Sequence, residues 1–99
     1  MGTNYYRIAL TIVAGEPRRD GMRQALQEIF VREMGLQPEH FTDELAYNSI
    51  PEWDSQAHMV IVLAIEEKFN ISLESDDVVS MTNVSKILDL LRSKGVAMD

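Results

Sequence analysis

The residues best suited to chemistry lie in one run, Trp53-Asp54-Ser55-Gln56-Ala57-His58, where a long polar stretch gives way to an apolar one. An aspartate followed by a serine at a helix start has two uses. The carboxylate caps the opening turn, and the serine hydroxyl stands where unsatisfied backbone N–H groups and the positive end of the helix dipole stabilise a phosphate. Ser55 is therefore the candidate attachment point for a phosphate-linked group, with Asp54 beside it. Taken alone the pair is an ordinary cap, so its surroundings have to carry the reading.

Other chemistries lack their parts. A serine hydrolase needs a Gly-x-Ser-x-Gly elbow or a histidine in a triad setting, and neither His40 nor His58 has one. His58 follows Ser55 by three residues on the expected core side of the helix, so we expect a buried, hydrogen-bonded ring that ties down the preceding loop. Glu74, Asp76 and Asp77 cluster without the Asp-x-Asp-x-Asp-Gly spacing that wraps calcium; they are expected as solvated carboxylates at a helix start, and no metal is expected.

With no cysteine the chain has no disulfide, thiolate metal site or thiol nucleophile, which is compatible with a reducing cytoplasm; any reactive thiol must be imported. The net charge of −7 argues against nucleic acid and favours partners with basic patches. Residues 1–21 carry three arginines against two acids, +1, which leaves −8 for residues 22–99. No apolar run approaches the ~20 residues that span a bilayer, and only Arg7 precedes the short run Ile8 to Ala14, so neither a membrane anchor nor a secretory leader is expected. A soluble, cytoplasmic protein follows as the expectation.

The elements that must position Ser55 are helical. Ninety-nine residues suit a single domain, divided here into an extension over 1–19, a domain over 20–95 and a tail over 96–99. The extension alternates Tyr6, Ile8, Leu10 and Ile12 at strand period but has no partner strand, so it is expected as a mobile or loosely packed tail or as a contact with a second copy. A first helix runs from Asp20 or Gly21 to Met34, with Asp20 as cap, Met22, Leu26, Ile29, Phe30 and Met34 as its apolar stripe, and Gly35 as terminator. Pro38 and Pro51 forbid a helix through the long connection that follows, and Leu36, Phe41, Leu45, Ile50 and Trp53 can pin that connection to the core.

The second helix spans Asp54 or Ser55 to Lys68 or Phe69 and stops at Asn70. At about 100° per residue, His58, Ile61, Val62, Ile65 and Phe69 face one way while Gln56, Val60, Leu63 and Glu67 face the other. The second set forms an apolar strip rimmed by Glu66 and Glu67, which suits a docking surface; burial against the extension or a second copy is the alternative. A short helix opens at Ser75, and Thr82 caps a last helix from Asn83 to about Lys94, with Val84, Ile87, Leu88 and Leu91 inward and Gly95 as its stop.

The run Ile50-Pro-Glu-Trp-Asp-Ser-Gln-Ala-His-Met-Val-Ile-Val-Leu-Ala-Ile-Glu-Glu-Lys-Phe-Asn-Ile resembles the acyl carrier proteins, whose signature is Asp-Ser-Leu followed by an apolar helix ending in Glu-Glu-x-Phe. The resemblance covers about residues 20–93, including the long first loop, the short third helix and Met-Thr-x-Val at Met81 to Val84. It implies an all-α, four-helix bundle of acyl-carrier type with three longer helices and one short one. It further implies 4′-phosphopantetheine, donated from coenzyme A by a phosphopantetheinyl transferase and joined to Ser55 through a phosphodiester, with substrates carried as thioesters. The carrier itself would catalyse nothing.

By position, the resemblance assigns Asp54 and Ser55 to the attachment motif, Leu63 to an apolar partner contact, and Glu66 and Glu67 to acidic contacts. Gln56 stands where leucine is usual and Val60 where fatty-acid-synthase carriers often have an acid, and residues 1–19 match nothing in the family. These departures argue against the fatty-acid-synthase partner set, and the Trp-Asp-Ser-x-x-His version at Trp53 to His58 resembles stand-alone carriers of specialised lipid, polysaccharide or secondary-metabolite pathways, which implies a monomer with Gln56, Val60, Leu63, Glu66 and Glu67 meeting acyl- or aminoacyl-activating and acyl-transfer enzymes. Val62, Phe69 and Met81 are candidates to line an acyl pocket, core filling being their other role. The alternative is an unmodified acidic interaction module that docks through Val60 and Leu63, with Ser55 only a cap.

Overall fold

The computed structural model describes residues 21–96, which form four α-helices and no β-strand. The strand-period run over residues 4–14 and the Asp20 cap lie outside the described residues. Helix α1 spans Gly21–Met34, α2 Ser55–Phe69, α3 Ser75–Ser80 and α4 Val84–Ser93, and a 3₁₀ turn occupies Pro38–His40. No helix among the described residues is long and apolar enough to cross a membrane.

Three left-handed residues mark helix ends where the sequence provides for them. Gly35 follows α1 at φ 69° and Gly95 follows α4 at φ 83°, where a Cβ would strain the backbone. Asn70 follows α2 at φ 56° and returns its N–H to the Glu66 carbonyl. The start of α4 differs from expectation: Asn83, not Thr82, is the cap, its side chain accepting from the Lys86 N–H. Thr82 is drawn into the loop instead, its carbonyl accepting from the Tyr47 N–H at 2.9 Å, and Ala46 bridges to Asn83 beside it. Pairing at this point holds Thr82 outside the helix.

One core joins α1, α2, α4 and the long loop. Leu26, Ile29 and Phe30 from α1 meet Ile61, Val62 and Ile65 from α2, Val84, Ile87, Leu88 and Leu91 from α4, and Leu36, Phe41, Leu45 and Trp53 from the loop. Each large apolar side chain removed from water stabilises the fold by about 1.5–3 kcal/mol, so the loop's four buried anchors tie it to the core along its length. Met34 and Ile50, both expected in the core, are half-buried at its margin, and Val96, expected in the tail, packs there too. Polar links add register. Arg23 bridges Asp43 at 3.1 Å with its guanidinium over the Phe41 ring, and the Val84 and Ser85 N–H groups donate to the Leu45 and Asp43 carbonyls. The loop thus reaches Ser55 as an ordered arm.

Candidate functional site

The approach to Ser55 is built from the turn before it. Asn48, left-handed at φ 69°, donates its N–H to the Trp53 carbonyl at 2.9 Å, and the Trp53 N–H closes on Ile50 at 3.1 Å. This fold-back turns the Trp53 indole inward. It is fully buried, edge-on to Phe30 at 4.9 Å and stacked on His58 at 6.0 Å. Its neighbours Asp54 and Ser55 are left on the outside.

Asp54 then starts the helix. Its backbone is extended and its Oδ1 accepts from the Ala57 N–H at 2.9 Å, while the His58 N–H closes on the Asp54 carbonyl. Those bonds occupy two of the first-turn amides, and the amides of Ser55 and Gln56 stand at the open, positive end. Ser55 is the first helical residue and is exposed, and α2 has no acidic residue in its first turn. An added phosphate here meets two amide dipoles and one carboxylate already bonded to the backbone, so the residues present suit a phosphodiester-linked arm.

His58 sits beneath this turn as expected, buried and bonded on both sides: Trp53 Nε1 lies 3.0 Å from Nδ1, and Nε2 lies 3.1 Å from the Val78 carbonyl. The second bond, to α3, had no signal in sequence because twenty residues separate the partners. Tyr47 closes the cluster edge-on to the imidazole at 5.1 Å.

Along the outer face of α2, Gln56, Val60, Leu63 and Glu67 are exposed as the helical wheel predicts. Met59 joins them at 50% exposure and Leu63 reaches 62%, so three apolar side chains lie open on one helix. Met59 was hidden in an unbroken apolar run, yet its place four residues after Ser55 puts it on the serine's side of the helix. On α3, Val79 is also exposed, at 76%.

Glu66 departs from its expected place on an exposed rim. It is half-buried, and its Oε2 accepts from the Leu73 N–H at 2.8 Å, closing the link between α2 and α3. Glu67 remains the exposed acid at that end of the strip. The carboxylates after α2 are also more engaged than solvated helix-start acids would be. Glu74 and Asp77 cap α3 reciprocally, and Asp77 bridges Lys94, the residue just past α4, at 2.7 Å. The Glu74 N–H and then Lys94 hold the Asp77 carboxyl below the ordinary carboxylate range, and Asp77 in turn raises Lys94.

Val62 and Met81 are buried within the shared core, and Phe69 packs half-buried against it. Open recesses occur elsewhere. One of ≈ 510 Å³ lies on the outer face of α1 between Arg23 and Pro38, and one of ≈ 480 Å³ lies along the loop between Gly35 and Glu52; neither is lined by Val62, Phe69 or Met81. Core filling accounts for all three positions as they stand. Among the described residues no group of three or more histidines, cysteines and acids is arranged to hold a metal ion. No protein-family model matches the chain.

Proposed function

We propose that this chain is an acyl carrier protein whose all-α domain is a four-helix bundle of that type, modified on Ser55. The observation that carries the reading is the start of α2: an exposed serine at the first helical position, an aspartate whose carboxylate is already bonded to Ala57, and an acid-free first turn. These features favour a phosphodiester on Ser55 Oγ, and 4′-phosphopantetheine from coenzyme A is the group that fits the absence of cysteine. When bound, that arm supplies the thiol on which an acyl or aminoacyl group is held as a thioester.

The chain's own part is presentation. The buried Trp53 and the Asp54 cap fix where Ser55 stands, so the tethered cargo explores a limited volume and its effective concentration at a docked enzyme is high. Met59, Val60 and Leu63 offer the apolar contact, Gln56 a polar one beside the serine, and Glu67 a charge for basic partner patches. Those partners are a phosphopantetheinyl transferase and acyl- or aminoacyl-activating and acyl-transfer enzymes of a specialised lipid, polysaccharide or secondary-metabolite pathway in the cytoplasm, met by a monomeric carrier that is not itself an enzyme.

Exposure of Met59 and Leu63 also favours a second reading, an unmodified interaction module that uses the same strip with Ser55 as a plain helix residue. Intact-mass measurement separates the two. Folded protein incubated with coenzyme A, magnesium and several broad-specificity phosphopantetheinyl transferases gains one phosphopantetheine in the carrier reading; no gain with any of them leaves the interaction module.

A further inference from the structure

The imidazole of His58 is gripped from two sides, and the chemistry of the partners fixes its proton. Trp53 Nε1 lies 3.0 Å from His58 Nδ1, and an indole N–H can only donate, so Nδ1 is the acceptor and carries no hydrogen. A neutral ring then keeps its proton on Nε2, which donates to the Val78 carbonyl at 3.1 Å. One side chain therefore pins both the end of the long loop and α3 to α2.

The two bonds respond oppositely to a second proton. It can enter only at Nδ1, where it sets N–H against N–H at Trp53; the donor on Nε2 is retained and strengthened by the charge. We propose that His58 is a proton-operated latch: acidification loosens the Tyr47 to Trp53 turn against α2 while α3 stays attached.

The ionisable groups nearest the ring are the Tyr47 phenol of the loop, Asp54 at the start of α2, and Asp76 and Asp77 beside Val78, with Asp77 bonded to Lys94 just past α4. From α1 the contact with this cluster is Phe30 against Trp53; the helix's charged side chains Arg23, Glu28 and Arg32 border the recess on its outer face, with Arg23 bonded to Asp43 and Arg32 to Glu33. The ring's own hydrogen bonds go to an indole and a backbone carbonyl, so no carboxylate stands ready at Nδ1 to hold the incoming proton, and the Trp53 contact is what yields. The latch does not depend on whether Ser55 is modified.

Imidazole nitrogen shifts, the Trp53 indole N–H signal and backbone amide protection, followed by NMR from pH about 8 to about 5, test it in the window where imidazoles ordinarily titrate. The chain has one tryptophan and two histidines, so the indole signal is unique and the His58 ring is followed beside a single other imidazole, exposed His40. The expected result is an Nε2–H tautomer at the upper end. On acidification, one protonation event at His58 shifts the indole signal and lowers protection of the Asn48 and Trp53 amides roughly tenfold, while the Met81 amide, bonded to the Val78 carbonyl at 3.3 Å, keeps its protection. His58→Asn, which offers an acceptor that does not titrate, should abolish the response; if that variant does not fold, the wild-type titration stands alone as the test. A proton on Nδ1 in the neutral ring, loop protection unchanged as His58 titrates, or a ring that stays neutral until the whole domain unfolds would each overturn the latch.

Discussion

Two helices in this molecule begin with the same local wording, an acid followed by a serine at the first helical position, and both serines are exposed: Asp54-Ser55 at α2 and Glu74-Ser75 at α3. Their surroundings differ in every respect that matters to an added phosphate. Ser55 opens a helix of fifteen residues with no acid in the first turn; Ser75 opens one of six, with Asp76 and Asp77 in the first turn. Asp54 is bonded to one amide, whereas Glu74 and Asp77 satisfy each other's backbone and Asp77 also holds Lys94. One start leaves positive potential open at an exposed hydroxyl, and the other has spent it on carboxylates. A cap motif therefore says where a helix begins, and the charge of its first turn says what it can receive.

The comparison can be broken first at the core. Trp53→Ala removes the fully buried, aromatic-packed anchor that turns Ser55 outward, and should cost about 3–5 kcal/mol in denaturant unfolding. Val78→Ala, the nearest equivalent behind Ser75 and only half-buried, should cost about 1 kcal/mol. Equal losses would mean that the two starts are anchored alike.

Acid separates them next. The Asp77 carboxyl is held below the ordinary aspartate value of 3.8 by the Glu74 N–H and then by Lys94, so the stability it contributes is present above that value and is lost as pH falls through the lower folded value. Lys94 is raised above 10.5, so its share is present below that value and is lost as pH rises through the higher folded one. Chemical denaturation followed across the acid limb should show part of the pH dependence disappearing in Asp77→Asn.

The smallest effect sharpens the contrast most. Gln56→Asp gives α2 an acidic first turn like that of α3, which should stabilise the helix by about 0.3–1 kcal/mol while slowing phosphopantetheinylation of Ser55 about 2–5-fold. Stability and modification moving together would remove the electrostatic account.

Much of this arrangement was legible in the sequence because it depends on neighbours in the chain. Apolar spacing gave α1, α2 and α4, and Gly35, Asn70 and Gly95 gave their ends. The parts that were not legible depend on distant partners. Thr82 and Asn83 are both good caps, and only the pairing of Thr82 with Tyr47 in the loop moved the start of α4 by a residue. Glu66 has an exposed look on the wheel, but its acceptor role toward Leu73 arises from where the chain turns after Asn70. The Val78 carbonyl at His58 and the Lys94 ammonium at Asp77 likewise come from other helices or just past them. For the site itself, Asp54 and Ser55 were readable from type and spacing, whereas exposure of Met59 and Val79 needed the packing.

The central claim, that Ser55 alone is built to receive a phosphate-linked arm, is tested most directly by intact mass and peptide mapping after incubation with coenzyme A, magnesium and a phosphopantetheinyl transferase. Wild type and Ser75→Ala should each gain one phosphopantetheine, mapped to Ser55, and Ser55→Ala should gain none. A folded wild type that gains nothing with several transferases, or a group that maps to Ser75, would contradict the account.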